Sequence, residues 1–352
     1  MATIKFSNVG ISAISACVPK NIIDNKTLIN LLPEEEVIKT IENIGIKEKR
    51  FADKEVCSSD LCFKAAEKLF SDNNIDRKSI DALIFLSQTP DYRQPATAPS
   101  LQYRLELNKS TLSFDVNLAC SGYVYGLSIA MAYASLHGIN NVLLLVGETM
   151  SKTISSKDKV TFPLFGDAGS ATLIQKNEKF DISLFSLNSD GSEAGILNLP
   201  YGGYRNPSSI EGFKERVDED GNIRTGEHLY MDGMEVFNFG LREVPKDVKK
   251  IMELGNLSVN DIDIIVFHQA NRFMTNFFAK RLKIDTSKIP YSLDRFGNTS
   301  SASIPLTISS ELTDKVFTER KNVILSGFGA GLSWGTALLS LEKCNISQVI
   351  EY

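Results

Sequence analysis

A cysteine, a histidine and an asparagine stand far apart in this chain, each in a setting that suits chemistry. Cys120 lies in DVNLACSGYVYG (115–126), between an apolar run and a stretch of small residues. If a helix opens near it, the first-turn amides and the helix dipole favour a thiolate and lower the thiol pKa below its free value. Such a sulfur is a nucleophile, although a cysteine among apolar residues also serves as a small core residue. His268 ends the apolar run of IIVFHQAN (264–271), and strand ends are where sites gather in α/β proteins; a hydrogen-bonded core histidine is the alternative. Asn298, in DRFGNTSSASIP (294–305), either caps a helix or presents its amide to a site. Taken together, the three make a working set: sulfur attacks a carbonyl, while neutral imidazole and amide each donate to a developing oxyanion. GFGAGLSWG (327–335) adds a glycine turn after a strand. Backbone N–H groups at Gly329, Ala330 and Gly331 could approach a substrate oxygen closely there, unless the turn only feeds the last strand. His137, before a glycine at a helix end, and His228, in TGEHLYMDG, read as capping, solvated or structural.

The elements that must bring these residues together are short apolar runs between helical patterns: DALIFLSQ (81–88), NVLLLVG (141–147), DIIVFHQ (263–269) and NVILSGFG (322–329). Strand and helix alternate, which predicts an α/β fold. NNIDRKSIDALIF (73–85) aligns without gaps with GNLSVNDIDIIVF (255–267), and NNVLLLVG (140–147) faces KNVILSGF (321–328) at nearly the same offset. Two matches in one order predict two related halves, 1–175 carrying Cys120 and 176–352 carrying His268 and Asn298. No linker divides them, so they should pack as one body. The polar, glycine-dotted stretch 201–228 reads as surface loops. With 352 residues, 43% hydrophobic and 23% charged, the chain has the composition of a soluble globular protein. A formal charge of −5 gives no global basic field for nucleic acid or anionic lipid. The five cysteines are scattered without zinc-ligand spacing, so no metal site is expected and a reducing cytosol fits. No apolar stretch nears the roughly 18–20 residues of a membrane span, and the start lacks a signal-peptide pattern. A cytoplasmic protein is expected.

With DVNLACSGYVYGL, FHQAN, DRFGNTSSASIP and GFGAGLSWGTALL in this order, the sequence resembles β-ketoacyl-acyl carrier protein synthase III, one of the thiolase-fold condensing enzymes. GIKEKR (45–50), FGDAGSATLI (165–174) and MDGMEVFNF (231–239) extend the resemblance through nearly the whole chain. It implies a five-layered α-β-α-β-α thiolase-like fold of two similar halves, forming a homodimer. The implied reaction is a decarboxylative Claisen condensation. Cys120 would take an acyl group from acyl-CoA or an acyl carrier, its oxyanion held by the amides of Cys120 and the GFGAG loop. Malonyl-acyl carrier protein would then lose carbon dioxide, His268 and Asn298 stabilising the enolate before it attacks the acyl-enzyme. CoA or phosphopantetheine thioesters are thus substrates, and no permanently bound cofactor is implied. Several positions depart from the family pattern. Ala330 stands where a glycine is usual, and Lys159 where an arginine helps sandwich the CoA adenine, with no tryptophan near residues 35–45. Arg272 directly follows Asn271, while Phe273 occupies the usual arginine position. Gln94 aligns with the phenylalanine that the partner subunit contributes to the acyl pocket, which points to a more polar acyl tunnel. Helix 271–284 carries Arg272, Lys280, Arg281 and Lys283, a basic strip for an acidic carrier protein or an ordinary solvated face.

Relatives with other chemistry fit less well. A hydroxymethylglutaryl-CoA synthase would need a glutamate near DALIFLSQTPD, and a thiolase a second cysteine in GFGAG; neither is there. A non-condensing acyltransferase that moves the acyl group to an alcohol or amine stays open. A peptidase also runs cysteine, histidine, asparagine in chain order, but the paired halves and the mid-chain cysteine oppose it. The intact trio argues against a binding module without catalysis.

Overall fold

Alternate side chains of the core strands enter two different layers, and this alternation builds the molecule. The computed structural model describes residues 2–313, 317 and 319–352. A first sheet holds β1 (Val9–Val18), β2 (Ala82–Leu86), β3 (Leu112–Val116), β4 (Asn141–Thr149) and β5 (Asp167–Lys176) in the order β1-β5-β4-β2-β3. A second sheet holds β6 (Ser183–Ser189), β7 (Ile264–Phe267), β8 (Val323–Gly329) and β9 (Ser333–Leu339) in the order β6-β9-β8-β7. In both, a parallel pair lies beside two antiparallel neighbours. Ala82 faces Val142 in the first parallel pair and Ile264 faces Val323 in the second. The internal offset read in the sequence is therefore a repeat of strand order. The terminal strands cross between the sheets: Ala2–Phe6 pairs with β6, while Asn345–Ile346 and Ile350–Glu351 pair with β1.

Because the side-chain period of a strand is two, a strand buried on both faces reads as an unbroken apolar run. Ala82, Ile84 and Leu86 of β2 point into a central core with Leu144, Val266 and Leu325, while Leu83 and Phe85 point outward into a second core. On the other sheet Ile265, Phe267 and Ile324 take the outward positions. The central layer is made by α2 (Gly122–Ala134) and α5 (Ser303–Glu311). Both are buried on most sides, as a helix between two sheets must be, α2 through mainly apolar residues and α5 through Ile304, Leu306 and Ile308 with small hydroxyl residues between them. α1 (Ser58–Asn73) covers the outer face of the first sheet. The amphipathic α3 (Gly233–Leu254) and α4 (Arg272–Leu282) cover the second. The resulting order of layers is α-β-α-β-α, as expected. The stretch 201–228 forms turns and one two-residue hairpin, Arg216–Val217 with Ile223–Arg224, so it is mainly loop. β2 and β7 end earlier than their apolar runs suggest. Ser87 and Gln88 leave the first sheet to wrap around Glu148, and His268 stands one residue past its strand.

Candidate active site

Between β3 and α2 the chain runs irregularly through Asn117–Ser121, and Cys120 sits just before the first turn of the central helix. The Gly122 N–H donates to the Ala119 carbonyl at 2.7 Å, which tightens this bend. Gly329 ends β8 directly against the sulfur: a Cβ there would lie 2.7 Å from Cys120 Cβ and 2.9 Å from Sγ. Glycine is thus required so that the last loop can reach the cysteine itself. Gly331 has φ of +143°, a conformation open to glycine, whereas Ala330 keeps a negative φ that accommodates its Cβ. The alanine is therefore compatible with the loop. Ser121 Oγ and Ser333 Oγ, 2.7 Å apart, tie the cysteine loop to β9.

His268 is held from three directions. Its N–H donates to the Ser326 carbonyl at 2.8 Å, its ring meets Phe328 edge-on at 5.3 Å, and Nδ1 lies 2.7 Å from Ser303 Oγ at the start of α5. Ser303 Oγ accepts from the Gln269 N–H at 3.4 Å. In the tautomer in which Ser303 Oγ–H donates to Nδ1, the ring proton sits on Nε2. Burial pushes the imidazole pKa down to about 3, the Ser300 carbonyl acting in the opposite direction, so the ring is neutral at physiological pH. Asn298 is clamped through its backbone, its N–H on the Leu164 carbonyl at 2.8 Å and its carbonyl accepting from Gly166 at 3.0 Å. Its Oδ1 accepts from the Ser300 N–H at 2.9 Å, which leaves Nδ2 as the free donor.

One expectation is overturned. The Cys120 thiol pKa is not lowered: burial pushes it up to about 12, with the Ser300 hydroxyl working against this and the Glu148 charge adding to it. The helix begins two residues later, at Gly122, and a terminal dipole offsets roughly 0.3–1 kcal/mol, less than the cost of a charge in a dry site. The resting group is a thiol.

Cys120, His268, Asn298 and Gly329 border one cleft of about 230 Å³, together with Lys159, Asn271, Phe237, Met274 and Phe328. Three side chains separated by 148 and 30 positions in sequence are thus brought to one place. Asn271 also caps α4, its Oδ1 accepting from the Met274 N–H at 2.8 Å. Lys159 Nζ donates to the Asp220 carbonyl at 2.8 Å. Arg272 packs over the Tyr291 ring, 5.9 Å from its centroid, outside this cleft. Lys280, Arg281 and Lys283 are exposed at the far end of α4, and Gln94 is exposed and does not line the cleft. His137 is exposed and His228 accepts from the Thr225 N–H at 3.0 Å, so neither joins the site.

Sequence reading missed the residues that support this set. Ser300 Oγ lies 3.4 Å from Cys120 Sγ and Ser303 holds His268, although both stand in the quoted NTSSAS run, which reads as a helix start. Glu148, wholly buried, accepts from Ser301, Thr89 and Ser87 hydroxyls and the Gln88 N–H. A lone glutamate ending a strand of leucines and valines was the available signal.

Comparison with known proteins agrees with this arrangement. A family model described as 3-oxoacyl-[acyl-carrier-protein (ACP)] synthase III matches residues 114–191, and one for the C-terminal part of the same family matches 252–341. A β-ketoacyl-[acyl-carrier-protein] synthase III of Chlamydia caviae is 35% identical over 343 residues, covering 96% of this chain and 98% of that protein. Among solved structures, a 3-oxoacyl-(acyl-carrier protein) synthase of Burkholderia xenovorans LB400 is 37% identical with a TM-score of 0.93, covering 100% of this chain and 99% of the other. A β-ketoacyl-[acyl carrier protein] synthase III of Thermus thermophilus is 32% identical, with a TM-score of 0.81 over 94% of this chain and 98% of the other. Matched along almost its whole length at more than 30% identity, the chain belongs to the 3-oxoacyl-[acyl-carrier-protein] synthase III family.

Proposed function

We propose that this protein is a condensing enzyme that joins an acyl thioester to malonyl-acyl carrier protein through an acyl group carried on Cys120. The observation that carries this reading is the meeting of Cys120, His268 and Asn298 in one cleft. In the first half-reaction the Cys120 sulfur bonds the thioester carbonyl carbon, the old C–S bond breaks, and the departing thiol takes the proton that Cys120 releases. In the second, malonyl thioester loses carbon dioxide and its enolate attacks the acyl-enzyme. The 3-oxoacyl thioester leaves and the Cys120 thiolate takes a proton from solvent. Decarboxylation gathers negative charge on the thioester oxygen. Two fixed neutral donors in a dry cleft, His268 Nε2–H and Asn298 Nδ2–H, stabilise that charge more than the ground state.

Lys159 and Asn271, along the cleft wall, are proposed to contact the arm of a CoA or phosphopantetheine thioester, and the exposed Arg272, Lys280 and Arg281 to meet an acidic carrier protein. A homodimer is proposed as well, supported by β3, which among the described residues pairs with β2 alone and leaves one sheet edge open. Among the described residues no helix is long and apolar enough to cross a membrane, and the cytoplasm is the proposed compartment.

Intact-protein mass spectrometry after incubation with acyl-CoAs and acyl carrier proteins tests the nucleophile. An added acyl mass is expected in the wild type and absent from Cys120→Ala; an adduct that survives in the variant overturns the assignment. Acyl transfer to alcohols or amines without carbon dioxide loss from malonyl carrier would instead make the protein a non-condensing acyltransferase.

A further inference from the structure

We infer that Ser300 is a further catalytic residue: its hydroxyl, held by the side-chain amide of Gln88, donates a hydrogen bond to the Cys120 sulfur as the thiolate forms. The inference rests on Cys120 being the nucleophile.

Ser300 Oγ lies 3.4 Å from Cys120 Sγ, and both groups are buried. While the thiol keeps its proton, either atom can donate. Once the proton leaves, the sulfur can only accept, so the hydroxyl must be the donor. Gln88 fixes that choice in advance. Its Nε2 donates to Ser300 Oγ at 2.9 Å and to Met150 Sδ at 3.0 Å, so both amide hydrogens are used and the amide cannot present its oxygen to Ser300. With Gln88 occupying a lone pair of the oxygen, the Ser300 proton is free for the sulfur.

The backbone places the hydroxyl there at a conformational cost. Ser300 has φ of +51°, in the left-handed region that side-chain-bearing residues seldom adopt. Its N–H is spent on Asn298 Oδ1, so one residue orients the Asn298 amide and touches the Cys120 sulfur. Strain of this kind persists where surrounding contacts over-determine it, and here they converge on the reacting atom. The local electrostatics leave the hydroxyl a clear task. Burial and the Glu148 charge both oppose a thiolate, and Ser300 works against them. His268 shares the cleft but is neutral, so it offers no cationic partner. In this dry site a hydrogen bond to the charged form is the available means of favouring it.

The test is the pH dependence of Cys120 alkylation by iodoacetamide in the full-length protein, followed by peptide mass so that the other cysteines do not contribute. Ser300→Gly removes the hydroxyl while relieving the left-handed backbone, so the variant should keep or gain thermal stability. Alkylation in this variant should be slower by roughly tenfold at each pH between about 7 and 9, equivalent to a thiol pKa raised by about one unit. Gln88→Ala, which frees the hydroxyl to turn away, should shift the profile in the same direction by less. A Ser300→Gly protein that is folded and alkylated at the wild-type rate across that range overturns the inference. Acylation of the wild type is followed separately by intact mass. Its absence would sink the functional reading and leave the alkylation result standing.

Discussion

At the scale of single residues, the site works with groups that are uncharged at rest. Burial keeps the His268 imidazole neutral and the Cys120 thiol protonated, the states in which the proposed oxyanion donor and the proposed nucleophile rest. A neutral imidazole donates without titrating near neutrality. Carbon dioxide release from malonyl carrier should therefore show no ionisation near pH 6.5 attributable to His268. A radiometric assay across pH 5–9 checks this, and a step near 6.5 that disappears in His268→Gln would contradict it. His268→Ala removes one of two oxyanion donors, so decarboxylation should fall by about 10²–10³-fold. The acyl mass on Cys120 should still form, because the sulfur and the glycine loop are untouched. Asn298 is tied to the same outcome by its geometry, since its carbonyl oxygen is already engaged by Ser300.

At the scale of elements, two strand ends control the cysteine. β8 can end against Cys120 only because Gly329 has no side chain. Gly329→Ala places a methyl within 2.9 Å of Sγ and should cost about 1–3 kcal/mol by overpacking, with slower acylation. Thermal melts and the rate of acyl-adduct formation measure the two effects. Glu148 stands one residue before the end of β4, and burial pushes its carboxyl pKa from 4.5 up to about 8, the Ser301, Thr89, Gln88 and Ser87 donors acting the other way. Between those pH values the folded state holds a proton that the unfolded state has released, so stability falls as pH rises through that window. Glu148→Gln removes the ionisation. Its melting temperature relative to wild type should rise from pH 6 to pH 9, corresponding to roughly 3 kcal/mol; a constant difference would show that Glu148 is ionised throughout.

At the scale of the whole molecule, the central helices make the halves interdependent. Tyr123, Val124 and Leu127 of α2 share one core with Val266, Leu325 and Ala337 of the second sheet. Leu127→Ala should lower stability by about 2–5 kcal/mol. The loss should be felt equally in both halves. Trp334 is the single tryptophan and lies in the second sheet, packed on Phe239 at 5.5 Å. Urea unfolding followed by Trp334 fluorescence and by far-ultraviolet circular dichroism should therefore give coincident transitions for this variant. Two separate transitions would mean that the halves fold independently. The exchange of terminal strands, Ala2–Phe6 into one sheet and Ile350–Glu351 into the other, strengthens the same coupling.

The sequence by itself determined the layered α/β architecture, because strands buried on both faces must be apolar at every position and the repeated runs carry the sheet order twice. It also marked Cys120, His268 and Asn298, each in a short motif where an element ends. What only the tertiary structure decided is how those groups behave. The thiol pKa rises because desolvation outweighs a helix start, and desolvation depends on what packs around the sulfur, not on its chain neighbours. Gln88, Glu148 and Ser300 come together from the loop after β2, from β4 and from the turn before α5, and Ser303 meets His268 across 35 positions. Such contacts leave no periodic trace in a chain, since a polar residue is fixed by its partner in space, whereas a core strand is fixed by its own pattern.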